Sequence, residues 1–166
     1  MKIFAIIPAR SGSKGIKNKN IAMINGKPLM SYSISFAKKI ACIDRVFCST
    51  DSENYADIAR DYGAEVPFLR SKKASTSSAM EEDILIDLRE KFKAFNISEP
   101  DLVVWLRPTF IFRSIQDVES CIEVLKSNSE ISAARTVVRA ENRLYKVENN
   151  VLIPSFNDYG KSMIRR

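Results

Sequence analysis

The chain has 166 residues, 45% hydrophobic and 28% charged, which fits one soluble domain with a sizeable core. It contains no histidine, so a histidine base, a Ser-His-Asp triad and an imidazole–zinc site are all excluded. Its net charge of +6 is concentrated in two places: Pro8–Asn20 carries four basic residues and no acid, and Arg135–Arg166 carries seven basic residues against three acidic. Two separate basic patches on a balanced body favour a small anionic ligand over nucleic acid, which usually wants a continuous basic stripe.

In chain order, the apolar run Ile3-Phe4-Ala5-Ile6-Ile7 predicts a strand buried on both faces, stopped by Pro8. The loop that follows carries Arg10, Lys14, Lys17 and Lys19, punctuated by Gly12, Gly15 and small serines. Glycine and serine let backbone N–H groups approach an anion, and the cations offset its charge, as a polyphosphate site requires. The spacing matches neither a Walker A loop nor a dinucleotide GxGxxG. A solvated basic turn is the alternative reading, but open α/β sheets bind ligands at the carboxyl ends of their strands. Asn25-Gly26-Lys27-Pro28 predicts a turn into a helix, with Pro28 in its first position. The helix stripe is Leu29, Ser33, Phe36 and Ile40, widened by Met30, Ile34 and Ala37.

Val46-Phe47-Cys48 is the second predicted strand, and Thr50-Asp51-Ser52 caps the next helix (Tyr55, Ala59, Tyr62), closed by Gly63. Asp51 reads as a cap rather than a metal ligand. Glu65–Phe68 reads as a short extended piece, and Ser71–Ser78 as a loop. Ser78 with Glu81 fits a capping box for a long helix, with Glu81, Glu82 and Asp83 complementing its dipole and Met80, Ile84, Leu88, Phe92 and Phe95 forming its core face. Asp101–Leu106 is a third buried strand, and Trp105 reads as core. Ser114 with Asp117 caps a helix whose face is Ile115, Val118, Ile122 and Leu125, with Arg113 in a structural position before the cap. Ile131–Val138 reads as another strand, and Leu144–Ile153 as a hairpin turning at Asn149-Asn150.

The alternation calls for an α/β fold, a mostly parallel Rossmann-like sheet wrapped by helices, ending in an antiparallel arm over residues 139–166 that is expected to pair two copies as a homodimer. All of 1–166 is taken as a single domain. Strand-end loops on one edge bring Arg10, Asp51, Arg70 and Arg107 to a shared crevice. Cys42, Cys48 and Cys121 are an odd number at no metal-ligand spacing. They read as reduced, mostly buried thiols of a cytoplasmic protein, with no signal peptide and no apolar run long enough for a bilayer.

Ile7-Pro-Ala-Arg-Ser-Gly-Ser-Lys-Gly-Ile16 followed by Lys19-Asn20 resembles the N-terminal signature of the acylneuraminate cytidylyltransferases. Val46–Ser52 is similar to the family's second strand and Ser-Thr-Asp turn, Tyr62–Arg70 matches closely, and Leu106–Thr109 with Arg113 resembles its Leu-Gln/Arg-Pro-Thr segment. The resemblance implies a nucleotide-diphospho-sugar transferase type of fold and a CMP-sugar synthetase, in which the anomeric hydroxyl of an acylneuraminate-type sugar acid attacks the α-phosphate of CTP. It implies catalytic roles for Arg10 and Lys19 in holding the triphosphate. Nucleotide contacts are implied for Arg10, Ser11, Gly12, Lys14, Lys19, Asn20, Arg70 and Arg107. Arg107 stands where many members have a glutamine that contacts nucleotide or sugar.

The chain departs from the family at Phe110-Ile111-Phe112, which replaces Ser-Pro-Leu, and at Met80-Glu81, where members commonly have serines. Mg²⁺ is implied, but the aspartates that hold it lie on later strands of the family domain. That C-terminal part is expected to be missing here, and the metal ligands are not identifiable in this sequence. Two alternatives stay open: a nucleotidyltransferase for another sugar acid, and a non-catalytic nucleotide-binding or assembly module.

Overall fold

A computed structural model describes residues 1–13, 15–138 and 145–154. In chain order the elements are β1 (Ile3–Pro8), the short strands β2 (Met23–Ile24) and β3 (Lys27–Pro28), α1 (Leu29–Ala37), β4 (Arg45–Ser49), α2 (Glu53–Asp61), α3 (Glu81–Ala94), β5 (Leu102–Trp105), α4 (Ile115–Ser127), β6 (Tyr145–Glu148) and β7 (Val151–Pro154). Single 3₁₀ turns occupy Lys19–Ile21 and Lys73–Ser75.

β1 is the middle strand of a three-stranded parallel sheet, with β4 and β5 on either side. Its position explains its composition, because a strand paired on both edges and covered on both faces has no room for polar side chains. The two faces divide by alternation. Ile3, Ala5 and Ile7 join the core cluster that includes Met30 and Ile34 of α1, Tyr55, Ala56 and Ala59 of α2, and Ile122 of α4. Phe4 and Ile6 point the other way, onto Phe47 and onto Ile84, Leu88 and Phe92 of α3. The Phe4 and Phe47 rings lie 5.3 Å apart, and Phe92 meets Phe47 at 4.9 Å and Phe4 edge-on at 6.0 Å. Such pairs add roughly 0.5–1.5 kcal/mol each beyond their area. Burial pushes the Cys48 thiol on β4 up to about 12, so it is an inert core group; Cys42 and Cys121 are only half-buried.

The parallel α/β reading therefore holds. The expected extended piece is seen as well: Glu65 exchanges backbone hydrogen bonds with β4, its N–H to Val46 O at 2.7 Å and its carbonyl from Cys48 N at 3.0 Å. The hairpin near the end is formed by β6 and β7 pairing antiparallel, with Asn149 and Asn150 both left-handed (φ 50° and 61°), as a two-residue turn of this kind requires. The rest of the expected pairing arm, 139–144 and 155–166, lies outside the described residues.

Several local expectations are corrected. Ile131–Val138 is not a strand; among the described residues no sheet edge pairs with it, and Val137 and Val138 are 83% and 89% exposed. A strand without a partner leaves its backbone hydrogen bonds unmade. Pro28 is the N-cap of α1 rather than its first residue. Ser78 does not cap α3: the helix begins at Glu81, and Asp83 accepts from Met80 N at 2.8 Å. Met80 and Phe95 are the N-cap and C-cap of α3, 71% and 53% exposed, so the core face of that helix is Ile84, Leu88 and Phe92. Ser114 caps α4 as expected, accepting from Asp117 N at 3.3 Å. Among the described residues, no helix is long and apolar enough to cross a membrane.

Candidate nucleotide site

The chain leaves β1 for β4 on one side of the sheet and later reaches β5 on the other, so its direction switches between the carboxyl ends of β1 and β5. A crevice at such a switch point follows from topology alone. A cleft of about 460 Å³ opens there, within the usual size of small-molecule sites.

One wall is the loop after β1. Ala9 N still bonds Ser49 O at 2.9 Å, extending the β1–β4 pairing beyond Pro8 and fixing where the loop starts. Asp51, on the turn after β4, accepts from Ser11 N at 2.7 Å and from Ser11 Oγ at 3.0 Å. The expected role of Asp51 as a helix cap is thus corrected: Ser52 is the N-cap of α2, and the Asp51 carboxylate is turned onto the loop. Asn20, 6% exposed, closes the far end by donating its side-chain amide to Arg10 O at 3.0 Å. Gly12 sits at φ 63° with open space around it, a backbone conformation that side chains rarely adopt. Held at both ends, the loop turns Arg10, Ser13, Gly15, Lys19 and Asn20 to the cleft.

The floor is Arg70. Its backbone N–H bonds Thr50 O at 2.7 Å, and its Nε donates to Ser49 Oγ at 2.9 Å while Nη2 donates to Ser49 O. Only 6% of the residue is exposed. Burial holds its pKa below the usual guanidinium value, against the opposing pull of Asp51, Cys48 and Asp87. It remains a cation, because arginine is not deprotonated in proteins. Asp87 of α3, itself buried, accepts from Ser71 N at 3.3 Å and so anchors the loop that brings Ala74, Thr76 and Ala79 to the cleft.

The opposite wall comes from the end of β5 and the start of α3. Trp105, Arg107, Pro108 and Thr109 line it, facing Glu81 and Ile84. Arg107 donates from Nε to Glu81 Oε1 at 2.8 Å and also from Nη2 to the same oxygen. Both side chains are exposed, 63% and 48%. Arg113 supports the turn from behind. It donates to Arg107 O and to Ser33 Oγ (3.1 Å), and lies against the Phe36 and Phe110 rings at 5.7 and 5.5 Å. Its expected structural position is what the structure shows. The indole N–H of Trp105 is buried without a hydrogen-bond partner, and Trp105 forms cleft wall rather than closed core.

The structure therefore brings Arg10, Lys19, Asn20, Arg70 and Arg107 together. Ser11 and Gly12 shape the loop without lining the cleft, and Lys14 lies outside the described residues. Among the described lining residues there are four cations, and Glu81 is the one acid. Asp51, expected in the crevice with Arg10, Arg70 and Arg107, does not line it; its pairing with Ser11 and that of Glu81 with Arg107 escaped the sequence reading because the partners are 40 and 26 residues away. Among the described residues, no group of three or more acidic or cysteine side chains stands together as a ready-made metal cage.

Comparison with known proteins agrees with this geometry. The cytidylyltransferase family model matches residues 4–163. A CMP-N,N'-diacetyllegionaminic acid synthase of Legionella pneumophila is 39% identical over 126 residues, covering 76% of this chain and 54% of that protein. An N-acylneuraminate cytidylyltransferase of Escherichia coli is 33% identical, covering 76% of this chain and 32% of that protein. A pseudaminic acid cytidylyltransferase of Campylobacter jejuni is 48% identical over 48% of this chain and 34% of its own length. The chain thus spans about half or less of the length of these relatives. Of solved structures, a CMP:2-keto-3-deoxy-manno-octonic acid synthetase complexed with CTP superposes with a TM-score of 0.66 at 21% identity, over 78% of this chain and 49% of that one. A 4-diphosphocytidyl-2C-methyl-D-erythritol synthase superposes with a TM-score of 0.65 at 14% identity, over 96% and 70%. At these identities the structures speak to the fold alone. With a family match over nearly its whole length and a cationic cleft at the switch point of a parallel sheet, this chain belongs to the cytidylyltransferase family.

Proposed function

We propose that the chain carries the nucleotide site of a CTP-dependent cytidylyltransferase that makes a CMP-linked nonulosonate sugar and pyrophosphate. The observation that carries the reading is the convergence of Arg10, Lys19, Arg70 and Arg107 on one cleft with a single acid among its described residues. The named activities of the relatives from Legionella, Escherichia and Campylobacter support the choice of CTP and a sugar acid. In the reaction, the anomeric hydroxyl gives up its proton to solvent as its oxygen forms a bond to the α-phosphorus of CTP. The bond from that phosphorus to the bridging oxygen breaks, and pyrophosphate leaves with the electron pair. Transfer of this kind needs positioning and charge neutralisation more than a covalent nucleophile, which suits a chain without histidine.

Arg10 and Lys19 hold the triphosphate and carry the charge that grows on the leaving pyrophosphate. Backbone N–H groups of the glycine loop approach the same phosphates, with Ser11 and Gly12 setting their direction and Lys14 adding a further cation. Asn20 keeps the loop closed on Arg10. Arg70 supplies fixed positive charge from the floor, and Arg107 faces the substrates from the opposite wall. Homodimerisation through 139–166 and a cytoplasmic place of action complete the proposal. The former rests on the basic, hairpin-bearing tail, and light scattering of a chain lacking those residues tests it by the expected halving of mass.

The functional test is pyrophosphate release with CTP, Mg²⁺ and a panel of sugar acids including N-acetylneuraminate. Release that requires both CTP and one of the acids is the expected result. CTP binding without release under any acid supports the non-catalytic nucleotide module instead, and no CTP binding removes both.

A further inference from the structure

We infer that Glu81 occupies the place that the carboxylate of the sugar-acid substrate takes on Arg107, so that binding of the acid substrate displaces Glu81. This rests on the reading of the cleft as a site for a nucleotide and a sugar acid.

The cleft presents four cations to its ligands, and three of them face no carboxylate within hydrogen-bond distance in the described structure. Arg70 is engaged by the oxygens of Ser49, Arg10 by a long contact to Gly12 O at 3.4 Å, and Lys19 lies on the lining. Arg107 alone already holds a carboxylate. Two of its nitrogens converge on one oxygen, Glu81 Oε1, across the mouth of the cleft from another element. The geometry shows that a carboxylate fits the guanidinium from the cleft side. Glu81 is also the only acid among the described lining residues of a site for a polyanion, where an unpaired negative charge would oppose binding.

Both partners are well exposed, at 63% and 48%, so the pair is screened and weak enough to be exchanged. The Arg107 side is firmer: Arg113 fixes its carbonyl from behind, and Pro108 follows it. The mobile member is therefore Glu81, in the first turn of α3, whose side chain can swing to solvent beside Glu82. A carboxylate is favoured over phosphate because it is the group that Arg107 already holds, and because the loop and floor on the other side of the cleft offer three cations for the phosphates.

The test uses the fluorescence of Trp105, the single tryptophan of the sequence, which lines the cleft. Wild type, Glu81→Gln, Glu82→Gln and Arg107→Ala are each titrated with α,β-methylene-CTP. Each is also titrated with N-acetylneuraminate and with its uncharged carboxamide, in the presence and absence of the nucleotide analogue. Glu82→Gln removes the same charge from the same helical turn without touching Arg107, and melting curves establish that all four proteins are folded.

Glu81→Gln is expected to bind N-acetylneuraminate about two- to fivefold more tightly than wild type, the range that loss of an exposed ion-pair competitor allows. The carboxamide should gain nothing, Glu82→Gln should behave as wild type, and Arg107→Ala should bind the acid more weakly than wild type. No gain overturns the inference, as does an equal gain for the carboxamide or for Glu82→Gln, or absence of acid binding in all proteins. A gain confined to the nucleotide analogue also overturns it, assigning the displaced position to a phosphate. If the nucleotide analogue fails to bind any of the four, the nucleotide reading fails separately, because the acid titrations without it still report on Glu81.

Discussion

The two walls of the cleft are built on different physics. The wall formed by the loop after β1 is fixed by hydrogen bonds drawn from the sheet itself: Ser49 holds both Ala9 and Arg70, Asp51 holds Ser11, and buried Asn20 holds Arg10. The wall formed by α3 and the end of β5 meets across one exposed ion pair and a turn of bulky apolar residues, with Phe110 and Phe112 57% and 85% exposed. Preorganised donors suit a phosphate chain whose geometry is the same in every substrate. A loosely tied wall suits the partner that differs among relatives, whose names include diacetyllegionaminic, acylneuraminic and pseudaminic acids. Under the proposed function, the contrast assigns nucleotide recognition to the rigid side and sugar recognition to the other.

The sharpest way to break this contrast is Arg70→Ala. It removes a buried cation and strands Ser49 Oγ, while Ser49 O keeps only its bond from Ala9 N, so stability should fall by about 3 kcal/mol in urea unfolding, the cost of lost charged hydrogen bonds plus an unmet buried acceptor. A loss under about 1 kcal/mol would mean that the floor is not preorganised. Next come Arg10→Ala and Lys19→Ala. Each should weaken CTP binding about tenfold or more by calorimetry, since a charged hydrogen bond contributes roughly 1.5–3 kcal/mol. Their melting temperatures should barely move, because both are surface-reaching side chains.

Asp51→Ala sharpens the comparison further, because Asp51 is absent from the cleft lining. Freeing Ser11 should cost about 1–2 kcal/mol of stability and weaken CTP binding severalfold. Unchanged CTP affinity in a folded Asp51→Ala protein would show that the loop needs no anchor. The smallest expected effect is Arg107→Ala on stability, under about 1 kcal/mol in the same urea series, as for other exposed pairs. A loss as large as that of Arg70→Ala would erase the distinction between the walls.

Much of this was legible in the sequence, for reasons that differ by element. Ile3–Ile7 announced itself because a central parallel strand is apolar on both faces, and the acid-free glycine loop stood out by charge and position. The Asn149-Asn150 turn was readable because few residues tolerate left-handed backbone. Ile131–Val138 misled because β-branched residues fit a strand but cannot supply its partner. Met80 and Phe95 misled because periodicity gives the face of a helix but not where the helix itself ends. Asp51 looked like a cap from its neighbours in sequence, while its actual partner, Ser11, is brought to it by the pairing of β1 with β4. Glu81 was read as a dipole complement, which its place in the first turn of α3 allows, and its meeting with Arg107 depends on how α3 packs on β5.

The most direct measurement is a crystal structure of the protein with CTP bound. Phosphate density against the loop between Ala9 and Asn20, with Arg10 and Lys19 both turned onto it, is the expected result. Density elsewhere on the molecule, with those two side chains directed into bulk solvent, would contradict the assignment of the cleft as a nucleotide site.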